Sequence, residues 1–169
     1  MMLTKRVRPT APYRRPRRAV ALLAVVVAVA GAVLFAATPA TAAATEYGTW
    51  RVYGNTNPIT SSTSTWACGA TRTVESGVGA QVCAIRSPGG GAVQAAVIVR
   101  NDRSSYYLVE VATELQVPFI RSLGRWECLT AAMAANSWIV CFGRTLTQSL
   151  TVQATGGANG VWLGWSSLA

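Results

Sequence analysis

The 169-residue chain contains no histidine, a single lysine at Lys5, and only six acids against fifteen basic residues. Without histidine it lacks the commonest general base and the commonest metal ligand. The position of Lys5 leaves no lysine further along for Schiff-base chemistry. No glycine-rich phosphate loop and no metal-ligand spacing is present, so the sequence indicates neither a catalytic residue nor a metal or cofactor. Charged residues make up 12% of the chain against 51% hydrophobic ones, and the length suits one ordinary domain.

What charge there is lies unevenly. Lys5, Arg6, Arg8, Arg14, Arg15, Arg17 and Arg18 crowd the first eighteen residues with no acid among them. An apolar run, Ala19 to Ala37, follows, and then a small-residue exit, Ala40-Thr41-Ala42. A basic n-region, an apolar h-region and an A-x-A exit make a signal peptide over 1–42, with a cut after Ala42 or, as second choice, Ala44. The alternative is an uncleaved anchor, since about 19 apolar residues just span a bilayer. Cleavage implies a secreted, extracellular protein that meets membrane only through this segment. Beyond residue 42, eight arginines face six acids, a balance of +2. The arginines stand singly, so the formal charge of +9 does not imply a nucleic-acid partner.

The rest of the chain has a period of two. Tyr107 to Val117 alternates strictly, with Tyr107, Val109, Val111, Thr113, Leu115 and Val117 on one face. Leu108, Glu110, Ala112, Glu114 and Gln116 fall on the other, as in a half-buried strand. Val93 to Arg100 alternates less cleanly, and Asn101-Asp102-Arg103-Ser104 supplies turn chemistry after it. Further strands are expected over 47–53, 66–75, 79–87, 119–128, 137–145, 147–155 and 160–166, with one helical turn at Ala131 to Ala135. Seven of the ten residues 56–65 are Ser or Thr, which reads as a loop. The expected fold class is all-β: an antiparallel sandwich of seven to nine strands over 66–169, after an N-terminal strand and loop over 43–65.

All four cysteines, Cys68, Cys83, Cys128 and Cys141, follow the leader. An even number in an oxidising compartment implies two disulfides. Three pairings are possible. Spacing favours Cys68–Cys83 about a turn at Glu75-Ser76-Gly77, and Cys128–Cys141 about Ala134-Ala135-Asn136, each across a hairpin. Trp66-Ala67-Cys68 matches Trp126-Glu127-Cys128, Val82-Cys83 matches Val140-Cys141, and Val93-Gln94-Ala95 matches Val152-Gln153-Ala154. This order reads either as two related halves or as coincidence in an Ala/Val-rich chain.

Val93 to Asn101, and Cys141-Phe142-Gly143-Arg144-Thr145, resemble stretches of small two-disulfide, immunoglobulin-like secreted proteins of streptomycetes. The resemblance covers about 66–160 and implies an immunoglobulin-like fold and an actinobacterial source, with no assigned activity. Subtilisin-inhibitor-like proteins and chromophore-carrying apoproteins share the size and disulfide number, but no residues of either align.

The chemistry expected is binding rather than turnover. Glu110 and Glu114 share a strand face about 13 Å apart at the usual rise, wider than an inverting glycosidase pair. They read as a solvated face, and Asp102 with Asn101 and Ser104 reads as a turn. Tyr106, Trp162 and Trp165 are candidates for a stacking surface, although a spacing of three keeps Trp162 and Trp165 off one regular strand face. The leading reading is a secreted, non-catalytic binding module for an extracellular protein, wall polymer or small ligand. The alternatives are a protease inhibitor using the 84–92 loop, with Arg86 and Pro88, and a hydrolase using carboxylates alone. Three glycines in that loop weigh against an inhibitor, because tight inhibition needs preorganisation.

Overall fold

The computed structural model describes residues 44–169. The leader, its A-x-A exit and the expected signal helix lie outside the described residues. Twelve strands occur: β1 Thr45–Tyr47, β2 Thr49–Gly54, β3 Thr65–Cys68, β4 Arg72–Glu75, β5 Val78–Arg86, β6 Ala92–Asn101, β7 Tyr107–Val117, β8 Arg121–Met133, β9 Ser137–Phe142, β10 Leu146–Thr147, β11 Gln153–Ala158 and β12 Val161–Trp165. No helix occurs among the described residues.

The strands form a two-sheet β-sandwich. The first sheet has the order β1-β8-β7-β11-β12. The second has the order β2-β9-β6-β5-β3, with β10 beside β6 and β4 beside β5. The strand count exceeds the expected seven to nine because three expected strands split. At Gly48 the 47–53 segment changes sheets, from β1 to β2. A Cβ there would lie 2.8 Å from Cys128 Sγ and 3.2 Å from Cys141 Sγ, so only glycine lets the chain cross over this disulfide. The 66–75 segment breaks at Gly69, which the backbone of Trp165 abuts. The 147–155 segment breaks into β10 and β11. One pair, β1 with β8, is parallel, against the expected antiparallel pattern throughout. Ala131 to Met133 continue β8 instead of making a helical turn, and Asn136 (φ 48°) turns the chain toward β9.

Both disulfides form with the local pairing, in two different settings. Cys68 and Cys83 face each other in register on β3 and β5, with Cα atoms 4.0 Å apart. Their turn is closed by Gly77 at φ 74°. Cys128 and Cys141 do not face across a hairpin. β8 belongs to the first sheet and β9 to the second, so this bridge crosses the sandwich, with Cα atoms 6.0 Å apart. The two Trp-x-Cys segments therefore occupy unlike places. Trp126 is buried at 1% exposure between the sheets, while Trp66 lies partly buried on the far side of the second sheet.

The main core fills the space between the sheets. Val82, Val97, Val99, Val109, Leu115, Trp126, Val152 and Leu163 are all fully buried there. Trp126 is clamped flat: a Cβ on Gly124 or on Gly143 would approach its ring to 2.5 Å. A second cluster lies on the outer face of the second sheet, where Ile85, Ala96, Ile98 and Val140 pack under Ile59, Trp66, Trp138 and Phe142. This explains the blurred alternation of β6, since both of its faces are covered. The Ser/Thr-rich 55–64 segment supplies part of that cover through buried Pro58 and half-buried Ile59, and Asn57 Oδ1 accepts the Ile59 N–H at 2.9 Å.

Among the described residues, every strand, both clusters and both disulfides lie within 45–169. Two formed disulfides indicate an oxidising environment. No helix among the described residues is long and apolar enough to cross a membrane.

Candidate functional site

The outer face of the first sheet is open, and the register of five strands lays out a row across it. Tyr47 on β1 pairs with Glu127 on β8, Glu127 with Ala112 on β7, Ala112 with Gly157 on β11, and Gly157 with Trp162 on β12. Partners in register carry their side chains on one face. The row therefore reads aromatic, acid, small, small, aromatic over about 19 Å, four strand spacings. The next row is Thr45, Arg125, Glu114, Thr155 and Trp165. The small residues sink the middle into a trough of about 520 Å³, lined by Glu110, Glu114, Glu127, Arg125, Leu129 and Trp162 among others.

Local geometry places each wall. Trp162 and Trp165 do share a face, against the expectation from their spacing. β12 carries one extra residue opposite Gly156, with Gly164 at φ 85°, and this bulge resets the alternation. Both indoles are exposed, at 60% and 49%, and they meet edge to face at 6.2 Å between ring centres. Leu163 between them is buried in the core, which anchors the pair from below. A second bulge, on β8 opposite Glu110, brings Leu129 to the rim. Asn159 closes the end: its Oδ1 accepts the Glu110 N–H at 2.8 Å and its Nδ2 donates to Tyr107 Oη at 2.8 Å.

The carboxylates fall into two groups. Glu114 is paired with Arg125 at 2.9 Å, Glu75 with Arg103 at 2.7 Å and Asp102 with Arg100 at 2.6 Å. Glu46 accepts from Trp126 Nε1 at 3.3 Å and lies 3.5 Å from Arg144. Glu110 and Glu127, both in the trough, have no cationic partner among the described residues. Among the described residues no group of three His, Cys, Asp or Glu side chains could hold a metal ion.

The remaining candidates lie elsewhere. Asn101 is fully buried; its Nδ2 donates to Ser105 O and Ala134 O, and its Oδ1 accepts from Arg103 N–H, so it rivets two turns together. Tyr106 precedes β7 and does not line the trough. The expected 84–92 loop is shorter than its bounds: Ala84 to Arg86 end β5, Ala92 begins β6, and only 87–91 form the loop, with Ser87 N–H donating to Ala92 O. Arg86 is fully engaged, donating to the carbonyls of Gly90, Gln148, Leu150 and Ala169. It is therefore not displayed as an inhibitor side chain would be.

Sequence reasoning missed Tyr47 and Glu127. Neither has a local signal: pairing between distant segments puts Glu127 in the trough and Tyr47 beside it, at the end of the row. Comparison with protein-family models, with curated proteins and with solved structures gave no match.

Proposed function

We propose that the chain is a secreted, non-catalytic binding module with an immunoglobulin-like sandwich, and that its ligand lies in the trough of the first sheet. The observation that carries this reading is the row Tyr47, Glu127, Ala112, Gly157, Trp162. Aromatic faces at both rims offer stacking, carboxylates between them accept hydrogen bonds, and a floor of Ala and Gly leaves room for a bulky ring. That chemistry suits a saccharide chain of a wall polymer laid across the strands. The basic leader, the apolar run and the A-x-A exit support export and cleavage after Ala42. A disulfide between the sheets with a buried Trp in the same core supports the immunoglobulin-like assignment.

The test is titration of the domain with soluble wall glycans by calorimetry, alongside an assay for released sugar. Saturable binding is expected, weakened about tenfold or more by Trp162→Ala, with the glycan left intact. Binding unaffected by Trp162→Ala sinks the trough as the site.

One observation favours a second reading. Glu127 lies opposite Ala112, diagonal to both Glu110 and Glu114, and diagonal neighbours on paired strands stand about 7–8 Å apart. Backbones so spaced let the carboxyls of an acid pair meet across neighbouring strands, as an inverting glycosidase requires. Such a pair needs its acid shielded by burial, whereas Glu110 faces solvent and Glu114 is tied to Arg125. Release of sugar that disappears in Glu127→Gln decides for this hydrolase and against the binding module.

A further inference from the structure

The tip of the β7–β8 hairpin breaks a local rule. Ile120 N–H donates to Val117 O at 3.1 Å, closing a turn with Pro118 second and Phe119 third. Phe119 has φ 60°, a position that normally takes Gly or Asn. A bulky residue there is strained, and packing does not compensate: Phe119 is fully exposed, at 106%. Neither turn chemistry nor the core accounts for an aromatic side chain at this point.

The tip does not stand alone. Gln153 pairs with Gln116 just below it, and Val152 and Ala169 exchange backbone bonds of 3.0 Å alongside. Arg86 clamps the 87–91 loop, the 148–150 segment and the chain's last residue through its four carbonyl contacts. One pole of the sandwich thus gathers exposed Phe119, Ile120, Leu150 and Leu168 from three separate segments. None of the segments 86–92, 117–121, 148–152 and 166–169 contains an acid, and Arg121 is exposed at the tip. Glu114, the nearest acid along β7, is paired with Arg125.

The chain also enters the domain at this pole. β1 runs parallel to β8 with Thr45 opposite Arg125, four residues from the start of β8. In sequence, seven residues separate Thr45 from the apolar run that ends at Ala37, a reach of about 25 Å when extended.

We propose that this pole docks on a lipid bilayer, with Phe119 and Ile120 seated at headgroup depth and Arg121 facing anionic lipid. Apolar side chains spread over several loops, with exposed Arg121 and no acidic side chain among them, match an apolar phase bounded by anionic headgroups. The inference is independent of the trough, which lies on a sheet face and not at this end.

The experiment is vesicle flotation of the domain 43–169, using phosphatidylcholine alone and an equal mixture with phosphatidylglycerol. The domain is expected to float, more completely with the anionic mixture. Phe119→Gly relaxes the turn, so the thermal midpoint should hold or rise while partitioning falls about tenfold, as expected for an aromatic ring withdrawn from an apolar phase. Arg121→Gln should weaken flotation on the anionic vesicles only, and Trp162→Ala should leave it unchanged. A domain that stays down with both vesicle types overturns the proposal, as does Phe119→Gly floating like the parent. A Phe119-dependent complex with a protein in the absence of flotation overturns it in favour of a partner pocket.

Discussion

The two sheets treat their outer faces in opposite ways. The second sheet is covered on both sides: Ile98 and Val140 are as inaccessible on its outer face as Val97 and Val99 are on its inner one. Its cover consists of Trp66, Trp138, Phe142, the 55–64 segment and the Cys68–Cys83 bridge. The first sheet is covered on one side only, and its outer face carries exposed Leu108, Leu129, Tyr47, Trp162 and Trp165 around acids. The same strand pattern therefore builds a covered face on one side of the molecule and an open one on the other. A large apolar side chain has a structural reason on the second sheet's outer face. On the first sheet's outer face it has none among the described residues, and the ligand proposed above would supply one.

Substitutions on the two faces should separate stability from binding. The largest effect is expected from Ile98→Ala, which opens a cavity under the aromatic cover. About 2–5 kcal/mol of unfolding free energy should be lost in denaturant titration, and a loss below 1 kcal/mol would break the claim that this face is a true core. Cys68→Ala with Cys83→Ala comes next. A closed loop of this length contributes about 3 kcal/mol in the chain-entropy model, so the urea midpoint should fall while glycan binding persists; lost binding would mean that the two faces are coupled. Trp66→Phe is smaller. The Trp66 indole N–H is buried without a hydrogen-bond partner among the described residues. Removing it relieves an unsatisfied donor of about 1–3 kcal/mol against a similar loss of buried area, and the net shift should stay within about 1 kcal/mol by calorimetry. The smallest effect on stability belongs to Ala112→Leu on the trough floor. That residue is exposed, so stability should move by less than about 0.5 kcal/mol, while ligand titration should show binding abolished by the filled floor. A large fall in thermal midpoint for this variant would place Ala112 in the core and erase the contrast.

Much of the strand framework is legible from residue order. The strict alternation of 107–117 returns as β7 with its apolar face inward, and Glu110, Ala112 and Glu114 face outward as a row. The local disulfide pairing was favoured by spacing, because a short loop brings its ends together most cheaply, but the expected hairpin setting holds for Cys68–Cys83 and not for Cys128–Cys141. The candidate site was legible only in fragments. Trp162 and Trp165 stood out by type, but their shared face depends on one extra residue beside Gly164. Glu127 looked like any polar strand residue until register set it opposite Ala112.

The sequence by itself determined the all-β class, the leader-like segment and the absence of histidine chemistry, and it favoured the local bonding partners of the four cysteines over two other pairings. These rest on composition and on contacts close along the chain, where backbone period and turn residues act directly. Only the tertiary structure decided which sheet each strand joins. It also decided that Cys128–Cys141 crosses the sandwich while Cys68–Cys83 stays within a sheet, and that the 55–64 segment lids one face and leaves the other bare. Those outcomes depend on register, bulges and packing between segments distant in sequence. A one-residue shift in any of them turns a side chain to the opposite face, and no local pattern records that shift.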